Sequence, residues 1–196
     1  MINYIKDQVK KSYKTKQVIY QDEDLLKKIE LVSKKCVDLY KGSNKTILAG
    51  NGGSAADAQH IAAELVGRYG FDRPSIPSLA LTTDTSNLTA IGNDYGYDKV
   101  FSRQLEGMGQ KGDIFIGIST SGNSANIINA FNSAKEKGIT TVALTGKDGG
   151  KMAKMADISL IVPSDSTPRI QESHILIGHI ICDIIEKEIF GDGVSN

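Results

Sequence analysis

The chain has 196 residues, 40% of them hydrophobic, with 23 basic and 23 acidic side chains and a formal net charge of zero. That length suits one ordinary domain with a buried core, and the composition excludes a disordered or fibrous chain. The neutral balance argues against electrostatic capture of nucleic acid or of an anionic membrane, leaving room for a small local basic site.

The N-terminal stretch MINYIKDQVKKSYK has no apolar core and does not read as a signal peptide. Residues 2–17 and 22–41 read as helices. In the second, Leu25, Leu26, Ile29, Leu31, Val32, Cys36, Val37 and Leu39 form a broad apolar face. Asp22 or Asp24 is its expected cap, and Gly42 fits just past its end. Both helices precede the first strand, so they are candidates for a subunit interface. TILAG (46–50) reads as a buried strand, followed by a helix over 54–67 with Ser54 as the expected N-cap.

The alternation then repeats. SIPSLALT (75–82) is strand-like, and 84–93 and 97–107 read as short helices. DIFIGIS (113–119) is a continuous apolar strand, followed by a helix over 123–137 that ends at Gly138. TTVALTG (140–146) is the next strand, 149–157 contains a short helix, and ISLIVP (158–163) is the last strand. A helix over 168–190 precedes the polar tail GDGVSN. Strands apolar on both faces and separated by helices predict an α/β fold, a doubly wound five-stranded parallel sheet covered on both sides. The two cysteines, Cys36 and Cys182, fall in helical contexts and read as small buried hydrophobes in a reducing compartment. No apolar run approaches the ~18–20 residues of a membrane span, so a cytoplasmic protein is expected.

In an open parallel sheet, ligands bind beyond the carboxyl ends of the strands. Two of those ends are rich in small polar residues: GNGGSAAD (50–57) and STSGNSAN (119–126). In the second, Ser119, Thr120, Ser121 and Ser124 supply hydroxyls, and Gly122 lets the backbone pass close to a ligand. The helix starting near Asn123 offers free N–H groups and the positive end of its dipole. Together these suit a phosphate dianion without any basic residue. The bland reading, a Ser-rich turn with a helix cap, carries even weight for one such loop and less for two. Neither loop is a Walker motif, and Gly50 and Gly52 are followed by Ala55, which breaks the dinucleotide G-x-G-x-x-G pattern.

The chain has three histidines. His60 lies four residues before Glu64 on a helix, so the pair shares a face. By itself this is most simply a helix-surface pair. His174 and His179 interrupt the apolar pattern of the last helix, TPRIQESHILIGHIICDIIEKEIF (167–190); His179, surrounded by Ile175, Ile177, Ile180, Ile181 and Ile184, is either a hydrogen-bonded core residue or a site residue. With His179 facing His60 and Glu64, the set would present the nitrogen and oxygen donors that Zn²⁺ accepts.

GNGGSAADAQHIAAEL, the ISTSGNS loop, GNDYGYDKVFSRQL and RIQESHILIGHIICDIIE, in this order through nearly the whole chain, resemble the phosphoheptose isomerases of the sugar isomerase (SIS) superfamily. The resemblance implies a single SIS domain over 1–196 of flavodoxin-like architecture, with 1–44 as a helical extension used in oligomerisation. It implies a homotetramer that converts sedoheptulose 7-phosphate to D-glycero-D-manno-heptose 7-phosphate for bacterial lipopolysaccharide or capsule, without nucleic-acid or membrane partners. It implies one Zn²⁺ per subunit at His60, Glu64, Gln171 and His179. It implies substrate contacts from Asn51, Gly52, Gly53, Ser54, Glu64, Asn93, Asp94, Ser119, Thr120, Ser121, Ser124 and Gln171. One departure from the family pattern falls at Thr167-Pro168, where relatives often carry an acidic residue before R-I-Q.

Aldose–ketose isomerisation through an enediol needs a base to move a proton between C1 and C2, and a group that serves the substrate oxygens. Glu64 is assigned the first role and His179 the second. Three readings compete. A non-catalytic SIS protein, such as a partner of a replication initiator, has no need of four metal-capable groups. A sugar-phosphate-sensing regulator needs a basic recognition helix, which the segment before the first strand lacks. An isomerase of another sugar phosphate shares the chemistry, since sugar length is read by pocket depth.

Overall fold

The structure is a computed structural model that describes residues 1–191. Five parallel strands form one sheet: β1 (Thr46–Gly50), β2 (Ser78–Ala80), β3 (Ile114–Ser119), β4 (Thr140–Gly146) and β5 (Ile158–Val162). Their spatial order is β2-β1-β3-β4-β5, with every neighbouring pair parallel. This is the expected doubly wound arrangement. The chain order reverses at the β1–β3 pair, which makes that pair the switch point where such sheets bind ligands.

Eight helices surround the sheet among the described residues. α1 (Ile2–Gln21), α2 (Glu23–Tyr40), α3 (Gly53–Val66) and α8 (Thr167–Phe190) are the ones that matter on one side. Leu48, Ile114, Ile116, Val142 and Leu160 point from the sheet into a core shared with α2, α3 and α8. Ile47, Ala49, Phe115 and Ala143 point the other way, into a second core. That core includes α5 (Ser102–Met108), α6 (Ala125–Glu136) and α7 (Gly150–Met155). Successive strand residues alternate between the cores, as the pleat requires.

Several predicted boundaries move, each for a visible reason. α1 runs four residues past the predicted end at 17, to Gln21. Asp22 is the cap of α2, accepting from the Leu25 N–H at 3.0 Å. β2 keeps only three residues of the expected 75–82. Pro77, which has no N–H to donate, stands immediately before it. The predicted 97–107 helix is a 3-10 turn over Tyr97–Lys99 followed by α5, and Val100 and Phe101 turn into the core between them. Ser54 is not the cap of α3: Gly52, at φ +56°, occupies that place and Ser54 is buried inside the first turn. Residues 192–196 of the predicted polar tail lie outside the described residues.

The two N-terminal helices differ in how they pack. Leu25, Ile29, Val32, Cys36, Val37 and Leu39 of α2 are buried in this chain's own core. Only Ile19 of α1 is buried. Ile2, Ile5, Val9 and Tyr13 remain exposed on α1, spaced as one helical stripe. Cys36 and Cys182 are both buried and free, as expected, and burial pushes each thiol up to about 12.

Candidate functional site

The loops that leave β1 and β3 stand side by side at the switch point. They are tied together by a reciprocal amide pair. Asn51 Nδ2 donates to Asn126 Oδ1 at 3.0 Å, and Asn126 Nδ2 donates to Asn51 Oδ1 at 2.9 Å. The Tyr97 hydroxyl also donates to Asn51 Oδ1, at 3.1 Å. Asn126 is buried, and its amide holds the first loop to the start of α6. Sequence reasoning passed over both Asn126 and Tyr97. For Asn126 the available signal was its place as the last residue of the predicted ligand loop STSGNSAN (119–126); Tyr97 gave none.

The serine loop turns at Gly122, with φ +63°. A Cβ there would lie 2.0 Å from the Gly149 carbonyl oxygen, so only glycine fits. Ser119 and Ser124 hydroxyls are 2.9 Å apart, and the Asn123 N–H donates to Ser121 Oγ at 3.2 Å. Seven predicted residues, Asn51, Ser54, Ser119, Thr120, Ser121, Ser124 and Gln171, join Ile118 around a cavity of about 130 Å³. Its lining holds no charged side chain; it offers hydroxyls, with Ser124 standing at the N-terminus of α6. A larger, open recess of about 510 Å³ lies at the amino ends of β4 and β5, lined by Lys35, Lys135, Thr140 and Asp157 among others. The chemistry that the fold positions for a ligand is at the opposite, carboxyl edge.

Beside this cavity, α3 and α8 bring the second predicted set together. His60 Nε2 and Glu64 Oε1 are 2.9 Å apart. His179 Nε2 reaches His60 Nε2 at 3.3 Å. Ligand atoms of His60, Glu64 and His179 all lie within 4.8 Å of one another, a group able to hold a metal ion. Two imidazole nitrogens and one carboxylate oxygen are donors that a divalent metal accepts. Gln171 stands two turns before His179 on α8. Its Nε2 faces Gly53, where a Cβ would come within 2.4 Å of it. Gly53 thus leaves room for the Gln171 amide, while a Cβ on Gly52 would meet nothing within 4 Å. Asn93 and Asp94 are exposed and bond to each other at 2.8 Å; they do not line the cavity.

Two groups near the cluster separate by environment. His174 is fully buried, with Nε2 3.0 Å from the Thr145 carbonyl, and burial pushes its pKa down to about 4 against that carbonyl's opposing influence. It is a neutral core histidine that donates from Nε2. Asp57, one turn before His60, has a buried Oδ2 without a partner; burial lifts its pKa to about 6, against the opposing influence of His60. The i, i+3 spacing of Asp57 and His60 was the overlooked signal.

The SIS domain family model matches residues 12–146. The chain is 84% identical over 195 residues to a phosphoheptose isomerase of Sulfurimonas denitrificans, covering 100% of both chains. It is 62% identical to a phosphoheptose isomerase of Aneurinibacillus thermoaerophilus, over 97% of this chain and 96% of that one. A solved phosphoheptose isomerase from Neisseria gonorrhoeae superposes with a TM-score of 0.89 at 45% identity, covering 94% of this chain and 98% of that chain.

Proposed function

The chain belongs to the SIS domain family, among the phosphoheptose isomerases, and from that premise we propose that it converts sedoheptulose 7-phosphate to D-glycero-D-manno-heptose 7-phosphate through an enediol. The observation that carries this reading is the meeting of His60, Glu64 and His179 beside an uncharged, hydroxyl-lined cavity. The cavity suits the phosphate, and the cluster suits the carbonyl end of the sugar.

Glu64 moves the proton between C1 and C2, and His179 passes protons to and from the substrate oxygens. Ser119, Thr120, Ser121 and Ser124 grip the 7-phosphate, so binding energy far from the reacting carbons serves alignment. Asn51, Gly52, Gly53 and Ser54 are the proposed sugar contacts of the first loop, and Asn93 and Asp94, which stand outside the cavity on α4 (Thr85–Tyr95), are the proposed contacts from that helix. His60, Glu64, Gln171 and His179 are the proposed ligands of one Zn²⁺ per subunit. Such an ion, when bound, would neutralise charge developing on the enediolate oxygens.

The whole chain acts as one SIS domain in a homotetramer, with α1 of the 1–44 extension supplying contacts. The exposed stripe Ile2, Ile5, Val9 and Tyr13 supports that role. Among the described residues no helix is long and apolar enough to cross a membrane. A cytoplasmic enzyme feeding heptose to lipopolysaccharide or capsule fits these features.

The test is incubation of the purified protein with sedoheptulose 7-phosphate, with and without a chelator, followed by NMR. Formation of the aldoheptose phosphate, its loss with chelator and its return with Zn²⁺ are the expected results. No product in the metal-replete sample would overturn the substrate assignment.

A further inference from the structure

His60 and Glu64 stand on α3 and His179 on α8, so the gap between them depends on how these helices are locked together. Close to the cluster, packing does this. Gly178 approaches Ile61 so closely that a Cβ there would lie 2.5 Å from Ile61 Cδ1. Two turns further along α8, a buried ion pair does it. The Arg73 and Glu186 side chains are each 1% exposed, with Nε and Oε2 2.8 Å apart.

Each member of the pair holds a different part of the site. The last carbonyls of a helix have no partner within it. The Arg73 guanidinium donates to those of Glu64, at 2.7 Å, and Leu65, at 2.8 Å. It also donates to the carbonyls of Gly67 and Pro74 just beyond. One of the backbone groups it grips therefore belongs to Glu64 itself. Glu186 follows His179 by seven residues, on the same face of α8. Its carboxylate accepts from the N–H groups of Tyr69 at 2.8 Å, Gly70 at 2.5 Å and Phe71 at 3.3 Å. The segment held in this way lays the Tyr69 ring 5.7 Å from that of His179. Burial alone would raise the Glu186 pKa, but the N–H groups and the guanidinium more than offset it and hold the carboxyl below its usual range.

A buried ion pair is weak evidence for stability, since apolar residues of similar volume often serve as well. What apolar residues cannot reproduce is direction. A guanidinium fork selects particular carbonyls, and a carboxylate selects particular N–H groups. We infer that Arg73 and Glu186 are positioning residues for the isomerase reaction: their pair locks α3 against α8 and sets the gap between the Glu64 carboxylate and the His179 imidazole.

The inference rests on the isomerase reading above. Its test uses the intact protein and three variants: Glu186→Gln, Arg73→Lys and the double variant Arg73→Met/Glu186→Leu. Turnover and KM for sedoheptulose 7-phosphate are followed by NMR, Zn²⁺ affinity by chelator competition and unfolding by circular dichroism. Supporting groups behind metal ligands are worth about 10–100-fold in metal affinity or activity. The double variant, which strands no buried charge, is expected to be more stable than either single variant while kcat stays about tenfold or more below wild type. KM stays within about twofold of wild type in every folded variant, since the phosphate grip is untouched. Zn²⁺ affinity falls with kcat. Wild-type kcat in a folded variant, a rise in KM alone, or activity that returns together with stability would each overturn the inference. Should the ion-pair variants not fold, Tyr69→Leu leaves the pair intact and carries the same readout, and an unchanged kcat there overturns it. A wild-type protein inert toward sedoheptulose 7-phosphate would instead sink the isomerase reading, and Zn²⁺ affinity alone would then test the clamp.

Discussion

Ser119, Thr120, Ser121 and Ser124 come from one short run at the end of β3, whereas His60 and His179 meet from helices 119 residues apart. The first group needs only a strand that ends and a helix that begins; its positive character is in the backbone. The second needs two helices held at a fixed separation, because a carboxylate and two imidazoles act together only within a few ångströms. The difference separates two kinds of site. A hydroxyl-lined loop is a local property of a chain, while a His–Glu–His cluster is a property of packing. It also says where damage will show: changes to the loop should weaken binding, and changes to the cluster should slow chemistry.

The sharpest way to break that division is Glu64→Gln. General acid–base groups contribute about 10²–10⁴-fold to rate, so turnover should fall by that much while inorganic phosphate still binds at the serine loop. Kinetics by NMR together with phosphate titration would check it. Near wild-type turnover would remove Glu64 from the chemistry.

His174 offers the next largest effect, and it separates the core from both regions. Its ordinary value of 6.5 falls to about 4 in the folded chain. Unfolded chain therefore takes up a proton between those values and folded chain does not. The stability of the neutral buried ring is fully present above pH 6.5 and is lost as pH falls toward 4, by up to about 3 kcal/mol at 1.36 kcal/mol per unit. His174→Asn should flatten the fall of Tm over that window. An equally steep fall in the variant would show that other groups cause it.

The smallest of the three effects falls on the loop. Thr120→Val removes one hydroxyl at nearly constant volume. A hydrogen bond to a charged group is worth about 1.5–3 kcal/mol, so KM should rise about tenfold or more with kcat little changed. A loss confined to kcat would place Thr120 with the reacting atoms instead of the phosphate.

The fold was legible in the residues to an unusual depth. Apolar runs at 46–50, 113–119, 140–146 and 158–163 stand at strands of one parallel sheet because a strand covered on both faces must be apolar on both. Where boundaries slipped, at β2 and at the 97–107 segment, the cause was a proline without an N–H and the pull of the core on Val100 and Phe101. The serine loop was legible for a similar reason, since hydroxyls, a glycine and a helix start are all local features. Asn126, Arg73 and Glu186 were not. An asparagine, an arginine and a glutamate look the same in a sequence whether they are solvated or locked in a buried network.

By itself the sequence determined the order of strands and helices along the chain and the run of hydroxyls and glycine that follows β3. Each follows from periodicity or from neighbours within a few positions. Only the tertiary structure decided that His179 and not His174 meets His60, that α2 is spent on this chain's own core while α1 is left exposed, and that an ion pair grips the helix carrying Glu64. The two histidines lie five positions apart on one helix, so a rotation of α8 about its axis decides which of them enters the site. Gly178 of α8 packs closely on Ile61 of α3, and Glu186 of α8 pairs with Arg73 in the segment that follows α3.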